Sequence, residues 1–309
     1  MKIGIIGNGK HTQRIKKILK KKKLNFYIYK PTKPNYFNKK NFENLKRCNV
    51  IFIISPNNTH FNYIKKLWKG RYIFCEKPPV VNKSQLQKLN KINKSKIFFN
   101  FNFRFSKLSD VLNKINKYKL GRLVYANINI THGYALTKEY QNNWRSDKSK
   151  NSLGIFEMVL IHYLDLMNYY FNIDKKVNIS LQKLSKFGSS FDTCKVFLKS
   201  KNFANIDFFA SYATSFYRNI ILIFDNGYIE QDEKGIKVFG PAIKKNKQNM
   251  FIKPNLKEKI KIDYLKDYQM SLEKSLNYLL NNAKKNINFK NVLFKKSLES
   301  NFLMINSKL

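Results

Sequence analysis

The fold of this chain is decided by the stretch Val50-Ile-Phe-Ile-Ile-Ser-Pro-Asn-Asn-Thr-His60 together with Arg71-Tyr-Ile-Phe-Cys-Glu-Lys-Pro-Pro79. Each part opens with an apolar run of strand length, and a helix-length segment lies between them. The first run ends in Ser55-Pro56-Asn57 and the second in Glu76-Lys77-Pro78. Strands joined through a helix run parallel, so we expect both sets of polar residues at one edge of one sheet.

The same alternation extends over the first 120 residues. The pattern predicts strands at Lys2–Ile6, Asn25–Tyr29, Val50–Ile54, Arg71–Cys75 and Lys96–Phe101. Amphipathic helices are expected at Thr12–Lys22, Thr59–Trp68, Lys83–Ile92 and Ser106–Tyr118, with a short helix at Asn41–Cys48 and a loop at Pro31–Pro34. Short apolar strands that alternate with amphipathic helices predict an α/β domain with a doubly wound parallel sheet.

The pattern changes after Gly121. Successive strands are predicted at Arg122–Thr131, Val177–Leu184, Thr193–Leu198, Ala204–Ser211, Asn219–Phe224 and Tyr228–Gln231, with hairpin chemistry at Asp225-Asn226-Gly227. Helices are predicted at Leu153–Phe171, Tyr268–Lys284 and Asn291–Asn306, and the polar segment 132–152 reads as a loop. Strands in succession favour an α+β domain with a large, mainly antiparallel sheet. We therefore expect domains at 1–120 and 121–309.

The composition bounds the class of protein. With 309 residues, 43% hydrophobic and 15% aromatic, the chain is long and apolar enough for two globular domains. No apolar run reaches 18 residues and a strand begins at Lys2, so we expect no membrane partner, no secretory signal and a cytoplasmic location. The three cysteines show no CxxC spacing, which predicts reduced thiols and no metal site.

The net charge of +41 raises the alternative of a nucleic-acid-binding protein. However, 53 of the 60 basic residues are Lys, and they are spread along the whole chain. The densest group, at Lys16, Lys17 and Lys20–Lys23, lies on the opposite side of a helix from its apolar residues. We therefore expect no nucleic acid partner. The alternative would require lysines that converge on one face and steep salt dependence of binding.

A possible nucleotide-binding turn follows the first strand, at Gly7-Asn8-Gly9-Lys10-His11-Thr12. The first glycine permits a tight turn, and the second lets the backbone approach a pyrophosphate at the helix N-terminus. The third glycine of the G-x-G-x-x-G pattern is Thr12 here. The other interpretation is an ordinary strand–helix turn.

The end of the second strand bears on the choice of cofactor. None of Tyr29, Lys30, Pro31 and Thr32 is acidic, so no carboxylate is present there to bind a ribose 2′-hydroxyl. Lys30, aided by Lys33, would instead meet a 2′-phosphate. The sequence therefore predicts NAD(P) with NADP slightly favoured, unless Lys30 is only a surface lysine.

The motifs at the ends of the third and fourth strands have structural alternatives too. Asn58 or Thr59 would serve as a helix N-cap, and His60 would order this turn rather than take part in chemistry. Lys77 would hydrogen-bond a substrate hydroxyl and favour the alkoxide that forms as hydride leaves, unless it is a surface lysine.

The motifs in this order resemble the Gfo/Idh/MocA oxidoreductases. Asn102-Phe103-Arg104-Phe105 is similar to the N-R-R-F of that family, with Phe103 in place of the first arginine. The segment from Trp144-Arg145-x-Asp147 through Gly154 to His162 and Asp165 is similar to its W-R-x-D…G-G-G-x-x-x-D-x-G-x-H-x-x-D. The resemblance covers the whole chain and implies a Rossmann-type first domain. It implies cofactor contacts from Gly7, Gly9, Lys10, His11, Lys30, Ser55, Pro56, Asn57, His60, Glu76 and Lys77.

The resemblance also implies a catalytic pair, Lys77 and His162, with His162 as general base. Substrate contacts would come from Arg104, Trp144, Arg145 and Asp165. The family aspartate four residues before the histidine is Met158 here, and Glu157 would point about a hundred degrees away on an α-helix. Asp165, three residues on, is the better-placed neighbour. A core histidine on an apolar helix is the alternative for His162.

The function that the resemblance implies is hydride transfer between NAD(P) and a hydroxyl or keto carbon of a sugar, sugar phosphate or nucleotide-sugar. The antiparallel sheet would form the surface of a homo-dimer or homo-tetramer. Met158 and Thr12 leave a second hypothesis open, namely a nucleotide-binding sensor or assembly protein on the same scaffold without turnover.

Overall fold

The computed structural model describes residues 1–31, 39–241 and 243–307, and for 39–41 the backbone alone. Its first parallel strands are β1 (Ile3–Ile6), β2 (Phe26–Tyr29), β3 (Val50–Ile53), β4 (Tyr72–Glu76) and β5 (Ile97–Asn100). The helices along them are α1 (Lys10–Lys21), α2 (Lys39–Lys46), α3 (His60–Leu67), α4 (Lys83–Asn90), α5 (Lys107–Leu112) and α6 (Ile115–Tyr118). Lys33 and most of the predicted loop Pro31–Pro34 lie outside the described residues.

The five parallel strands form one sheet in the order β2-β1-β3-β4-β5. β1, β3 and β5 are buried at every residue, as expected of apolar strands covered on both faces. β1 pairs in parallel with both β2 and β3. After β2, the chain therefore crosses to the other side of β1 and adds β3, β4 and β5 there. The predicted α/β class and parallel sheet are confirmed, and the carboxyl ends of β1, β3 and β4 share one edge.

The second sheet has eight strands, ordered β13-β12-β11-β10-β6-β9-β8-β7. They are β6 (Leu123–Thr131), β7 (Ile173–Gln182), β8 (Thr193–Ser200), β9 (Asn205–Ser211), β10 (Tyr217–Phe224), β11 (Gly227–Asp232), β12 (Gly235–Phe239) and β13 (Leu256–Lys261). All neighbours are antiparallel except β6 and β9. The predicted large, mainly antiparallel sheet is therefore confirmed. Phe224 pairs with Gly227, so Asp225-Asn226 is the predicted two-residue hairpin loop.

The helices of the second half differ from prediction in three places. The predicted helix Leu153–Phe171 is a π-helix at Phe156–Leu160 that continues into α8 (Ile161–Phe171). The segment 132–152 contains α7 (Lys138–Gln141) and is not only loop. The chain ends in α9 (Tyr264–Lys284), which starts four residues earlier than predicted, and α10 (Asn291–Asn306).

Two strands, β12 and β13, lack a sequence prediction altogether. Gly235 has a φ of +146°, and a Cβ there would lie 2.0 Å from the carbonyl oxygen of Ile260. Only glycine fits this close approach between the two strands. β13 is a lysine-rich edge strand, Leu-Lys-Glu-Lys-Ile-Lys, with most of its residues exposed, and such strands carry little apolar signal.

Two compact units contain the described residues. One consists of Met1–Phe101 and Glu273–Ile305, and the other of Asn102–Leu272 and the residues from Asn306 onward. The first unit thus includes most of α9 and nearly all of α10, whereas the contiguous boundary at residue 120 stays a prediction. Within the described ranges, no helix combines the length and apolarity needed to cross a bilayer.

Candidate functional site

The turn between β1 and α1 leaves room for a ligand at Gly9. Gly7 has a φ of +121°, and a Cβ there would lie 2.1 Å from the carbonyl oxygen of Ile54, so the turn itself requires glycine. Gly9 is different, since its φ of −76° suits any residue. A Cβ on Gly9 would meet no atom of the described residues within 4 Å. Open space here, at a helix N-terminus that no described side chain caps, fits a pyrophosphate.

Glu76 joins this turn to the Glu-Lys-Pro motif. His11, in the first turn of α1, lies with Nε2 2.7 Å from Glu76 Oε1. Asn100, at the end of β5, donates to the same oxygen at 2.7 Å, and Ser275 donates to Asn100 at 2.9 Å. Burial alone would raise the pKa of Glu76, but His11 and Asn100 lower it to about 2. The carboxylate is therefore ionised at neutral pH, and its Oε2 accepts no hydrogen bond from the described residues.

Lys77 stands on a turn that α10 holds in place. The Lys77–Pro78 peptide bond is cis, and Lys77 is buried, with 8% of its surface exposed. Just beyond, the amide of Val80 donates to Asn301 Oδ1 at 2.8 Å, and Asn301 Nδ2 donates to the carbonyl of Val80 at 3.0 Å. This exchange fixes the backbone two residues after Pro78.

His60 has the ordering role that the sequence predicted. Its buried ring has Nδ1 2.8 Å from the carbonyl oxygen of Pro78 and Nε2 2.9 Å from that of Ser55. The ring therefore ties the turn after β3 to the turn after β4. Thr59 occupies the N-cap position of α3, one of the two positions predicted, but its hydroxyl makes no capping hydrogen bond. It lies 2.6 Å from the Ser55 hydroxyl and donates to the carbonyl of Pro56 at 2.7 Å. Asn57 is buried beside them.

The remaining predicted cofactor residues are solvent-exposed. Lys10 begins α1, next to Gly9, and Lys30 directly follows β2. Tyr29, by contrast, is buried against the edges of Phe42 and Tyr63. Lys30 is thus a charged and exposed side chain directly after β2, where a ligand could meet it.

In the second unit, His162 lies in the first turn of α8, directly after the π-helix. Its ring is partly exposed and packs on Phe103 with centroids 4.8 Å apart. Gly154, which precedes the π-helix, has a φ of +56°, and a Cβ there would lie 1.8 Å from the carbonyl oxygen of Phe191. The glycine before this helix is therefore required by close contact with the backbone of Phe191.

Arg104 and Asp165 form a buried ion pair. Arg104 donates from Nε to Asp165 Oδ2 at 2.7 Å and from Nη2 to Oδ1 at 2.5 Å, with side-chain exposures of 4% and 1%. The guanidinium also lies 5.0 Å from the centre of the Tyr169 ring. Both oxygens of Asp165 thus bind Arg104, and this planar, two-bond pairing holds the turn Asn102–Phe105 to α8.

Trp144 and Arg145 form a separate, half-buried pair. The Arg145 guanidinium lies 4.7 Å from the centre of the Trp144 ring and donates to Asn143 Oδ1 at 3.3 Å. Asn151 donates to the carbonyl of Arg145 at 2.9 Å. These contacts give both residues an ordered place, and their predicted contact with substrate stays a prediction.

One polar cluster was missed by the sequence interpretation. Arg218 points to the buried face of β10 and donates to the hydroxyl of Tyr163 at 2.6 Å, under the ring of Tyr264 at 3.9 Å. Its Nε and the Oε1 of Gln231 are buried without a hydrogen bond in the part of the chain that the structure describes. Both line a small cavity bordered by Phe103. Arg218 precedes the predicted strand Asn219–Phe224 by one residue, so the prediction did not include its place in phase with the buried Ile220 and Leu222.

No metal site is evident in the described ranges, where no three His, Cys, Asp or Glu side chains are grouped so as to hold an ion. A dinucleotide, by contrast, fits the groups at the carboxyl edge of the parallel sheet. Gly9 and the N-terminus of α1 suit its phosphates, and the ionised Glu76 presents an acceptor oxygen for a hydroxyl.

Comparison with solved structures shows the same fold over nearly the whole chain. Levoglucosan dehydrogenase in complex with NADH matches with a TM-score of 0.77 and 12% identity, over 99% of this chain and 96% of that one. A myo-inositol dehydrogenase from Corynebacterium glutamicum matches with a TM-score of 0.71 and 17% identity, over 99% and 96%. An oxidoreductase from Thermotoga maritima matches with a TM-score of 0.74 and 17% identity, over 100% and 96%.

The family comparison agrees with the motifs. A comparison with curated protein sequences gives no match. Residues 10–97 match the model of the oxidoreductase family with an NAD-binding Rossmann fold, and residues 110–230 match the model of the GFO/IDH/MocA C-terminal domain. The chain therefore belongs to the Gfo/Idh/MocA family of NAD-binding oxidoreductases.

Proposed function

We propose that this protein is an NAD(P)-dependent dehydrogenase or reductase. It transfers hydride to or from a hydroxyl or keto carbon of a sugar, sugar phosphate or nucleotide-sugar. The observation that carries the proposal is the 2.7 Å contact between His11 and Glu76. This contact joins the glycine turn after β1 to the Glu-Lys-Pro motif after β4, and so brings a dinucleotide-binding turn and a buried lysine to one edge of one sheet.

The residues proposed to hold the cofactor divide by the chemistry of its parts. Gly9 and the first turn of α1 accept the pyrophosphate, because backbone amides and the helix dipole favour an anion there. Glu76 accepts a hydrogen bond from a ribose hydroxyl through Oε2. Ser55, Pro56 and Asn57 line the same edge after β3. The bound nicotinamide supplies the acceptor or donor of hydride.

Lys77 and His162 are proposed to handle the oxygen of the substrate. During oxidation the hydroxyl oxygen loses its proton while the carbon loses hydride, so negative charge develops on oxygen. His162 takes the proton, since an imidazole titrates near neutral pH. The ammonium of Lys77 stabilises the oxygen by hydrogen bonding. In the reverse direction His162 returns the proton.

The substrate class rests on the similar proteins. The two named above act, by their names, on levoglucosan and on myo-inositol, which are both cyclic polyhydroxylated compounds. Because identities of 12% and 17% do not carry a substrate over, we propose the class of ring hydroxyls rather than either compound.

The test measures binding and turnover separately. Titration of the protein with NADH and NADPH, followed by fluorescence, should show binding that Gly9→Val abolishes, because the valine side chain fills the space proposed for the pyrophosphate. Turnover is then followed by absorbance of the reduced nicotinamide with myo-inositol, levoglucosan, glucose 6-phosphate and a nucleotide-sugar as probes. Lys77→Ala and His162→Ala should each lower kcat by about 10²–10⁴-fold while NADH still binds.

Binding of NADH by Gly9→Val with the affinity of the parent would show that the cofactor site is misplaced. Full activity of His162→Ala would show that the proton takes another route.

A second function is favoured by Met158, which stands where the family pattern has an aspartate. A nucleotide-binding sensor or assembly protein would bind NAD(P)H and turn over none of the probes. Tight binding that Gly9→Val abolishes, without oxidation or reduction of any probe by the parent, would favour this second function.

A further inference from the structure

Glu157 is a carboxylate in an unusual place. Only 2% of its surface is exposed, although it lies five residues before the candidate base His162. Burying a carboxylate costs free energy that an apolar residue would not, so such residues are found more often where charge is used than where side chains only pack. Its neighbours Phe156 and Leu160 are apolar and buried in the ordinary way.

The π-helix changes how Glu157 is placed relative to His162. The amide of Ile161 donates to the carbonyl of Phe156, five residues back, where an α-helix would reach back four. Each residue of a π-helix therefore advances by a smaller angle around the axis. Glu157 consequently lies nearer to the side of His162 than a continuous α-helix would put it, and π-turns occur frequently at functional sites.

The other acidic residue near His162 is Asp165, which forms an ion pair with Arg104. Both oxygens of Asp165 accept hydrogen bonds from Arg104, so this carboxylate neutralises a buried guanidinium. β9, which packs against the π-helix, carries one charged residue, Asp207, and it binds the hydroxyl of Tyr125 on the other face of the sheet. On α8 itself, Asp165 is the one charged residue besides His162.

We propose that Glu157 supplies the carboxylate beside His162 that the family pattern places at position 158. This inference rests on the proposed function. Glu157 acts as a positioning residue, since it stabilises the imidazolium that His162 becomes when the substrate proton arrives. Met158 is then no loss of catalytic machinery, because the π-turn lets the preceding residue take over the role.

The test follows the titration of His162 directly, without substrate. The chain has four histidines, so ¹³C-labelled histidine gives a simple spectrum, in which loss of one signal in His162→Gln assigns that residue. Glu157→Gln removes the charge and keeps the shape. It should lower the pH midpoint of His162 by about one unit, because a nearby opposite charge favours the charged ring. Glu233→Gln, which removes an exposed carboxylate from the same unit, is the matched control and should leave the midpoint unchanged.

Two further variants complete the test. Glu157→Gln combined with Met158→Asp moves the carboxylate to the family position and should bring the pH midpoint of His162 most of the way back to the parent value. Glu157→Asp keeps the charge and should give a smaller shift than Glu157→Gln. If Glu157→Gln alone fails to fold, which circular dichroism would reveal, these two variants still test the proposal. A His162 midpoint that changes in none of the Glu157 variants more than in Glu233→Gln overturns the proposal.

Failure of the proposed function would look different. If the parent binds no NADH, or binds it and turns over no probe, the dehydrogenase fails while the His162 titration still reports on Glu157. If the parent turns over a probe, Glu157→Gln should lower kcat about tenfold or more with little change in KM. Equal kcat in parent and Glu157→Gln, with an unshifted titration, would leave the proposed function standing and remove Glu157 from it.

Discussion

Single residues carry most of the chemistry at the edge of the parallel sheet, and His60 illustrates how. Its buried ring lies between the carbonyl oxygens of Pro78 and Ser55. Burial lowers the pKa of His60, and the two carbonyl contacts and Glu76 oppose this without reversing it. The ring is therefore a structural link between two turns, and its burial favours the neutral form over the charged form.

This direction predicts how stability depends on pH. With its folded pKa below the unfolded value of about 6.5, His60 binds fewer protons folded than unfolded in acid. The free energy of unfolding that His60 contributes is then lost as pH falls below about 6.5, by up to about 1.4 kcal/mol per pH unit. Urea unfolding of the parent and of His60→Gln at pH 7.5 and 5.5 should show the smaller pH dependence in the variant. The opposite outcome, in which the parent becomes more stable relative to His60→Gln at pH 5.5, would show that the ring is charged and donates from both nitrogens.

Lys30 is the residue proposed to select the cofactor, because it is exposed directly after β2 where NAD-selective proteins have a carboxylate. Lys30→Asp should shift the ratio of NADPH to NADH dissociation constants toward NADH by about 1.5–3 kcal/mol, the size of a charge-assisted hydrogen bond. Fluorescence titration of both nucleotides measures the ratio. Lys23→Asp, another exposed lysine of the same unit, is the control. An unchanged ratio in Lys30→Asp would contradict the assignment.

At the scale of elements, α10 supports the turn that carries Lys77. Asn301 is fully buried and makes two hydrogen bonds to the backbone of Val80, in the manner of a neighbouring strand. A side-chain amide offers both a donor and an acceptor, so it satisfies the N–H and the C=O together. The helix thus fixes a loop that belongs to the candidate site.

Asn301→Ala should lower the free energy of unfolding by about 2 kcal/mol, because the amide and carbonyl of Val80 would be left buried and unpaired. Urea unfolding measures this loss. Asn291→Ala, an exposed position at the start of α10, should change it far less. If the turn also moves, NADH affinity falls in Asn301→Ala alone. Equal stability of the two variants would show that water replaces the amide.

At the scale of the whole molecule, the eight-stranded sheet has one face of mixed character. Tyr125 and Asn127 on β6 are partly exposed, and Tyr125 donates to Asp207 on β9 at 3.0 Å. Phe209 and Ile223, on the same face, are exposed by 37% and 39%. Apolar side chains among ordered polar ones are typical of a surface that binds another protein. We propose that this face joins two copies of the chain, as the resemblance to the family implied.

Phe209→Glu combined with Ile223→Glu should therefore convert the protein to a monomer of 36.7 kDa. Association of two copies would bury the introduced carboxylates at the interface without partners of opposite charge. Size-exclusion chromatography with light scattering measures the mass. Phe203→Glu, at a site 84% exposed, serves as the control. A parent that is already monomeric at micromolar concentration would contradict the proposed interface.

The sequence by itself determined the fold class, the parallel sheet, six of the eight strands of the second sheet and the motifs at the strand ends. Local patterns suffice for these, because apolar runs of strand length, amphipathic helices and Gly-x-Gly turns act over a few residues. The tertiary structure alone decided which side chains meet. His11 reaches Glu76 across 65 residues and Arg104 reaches Asp165 across 61, and such partners depend on packing rather than spacing. The π-turn before His162 is of the same kind. The apolar pattern of 153–171 reads as one continuous α-helix, and the one-residue change in hydrogen bonding is visible in the folded backbone alone.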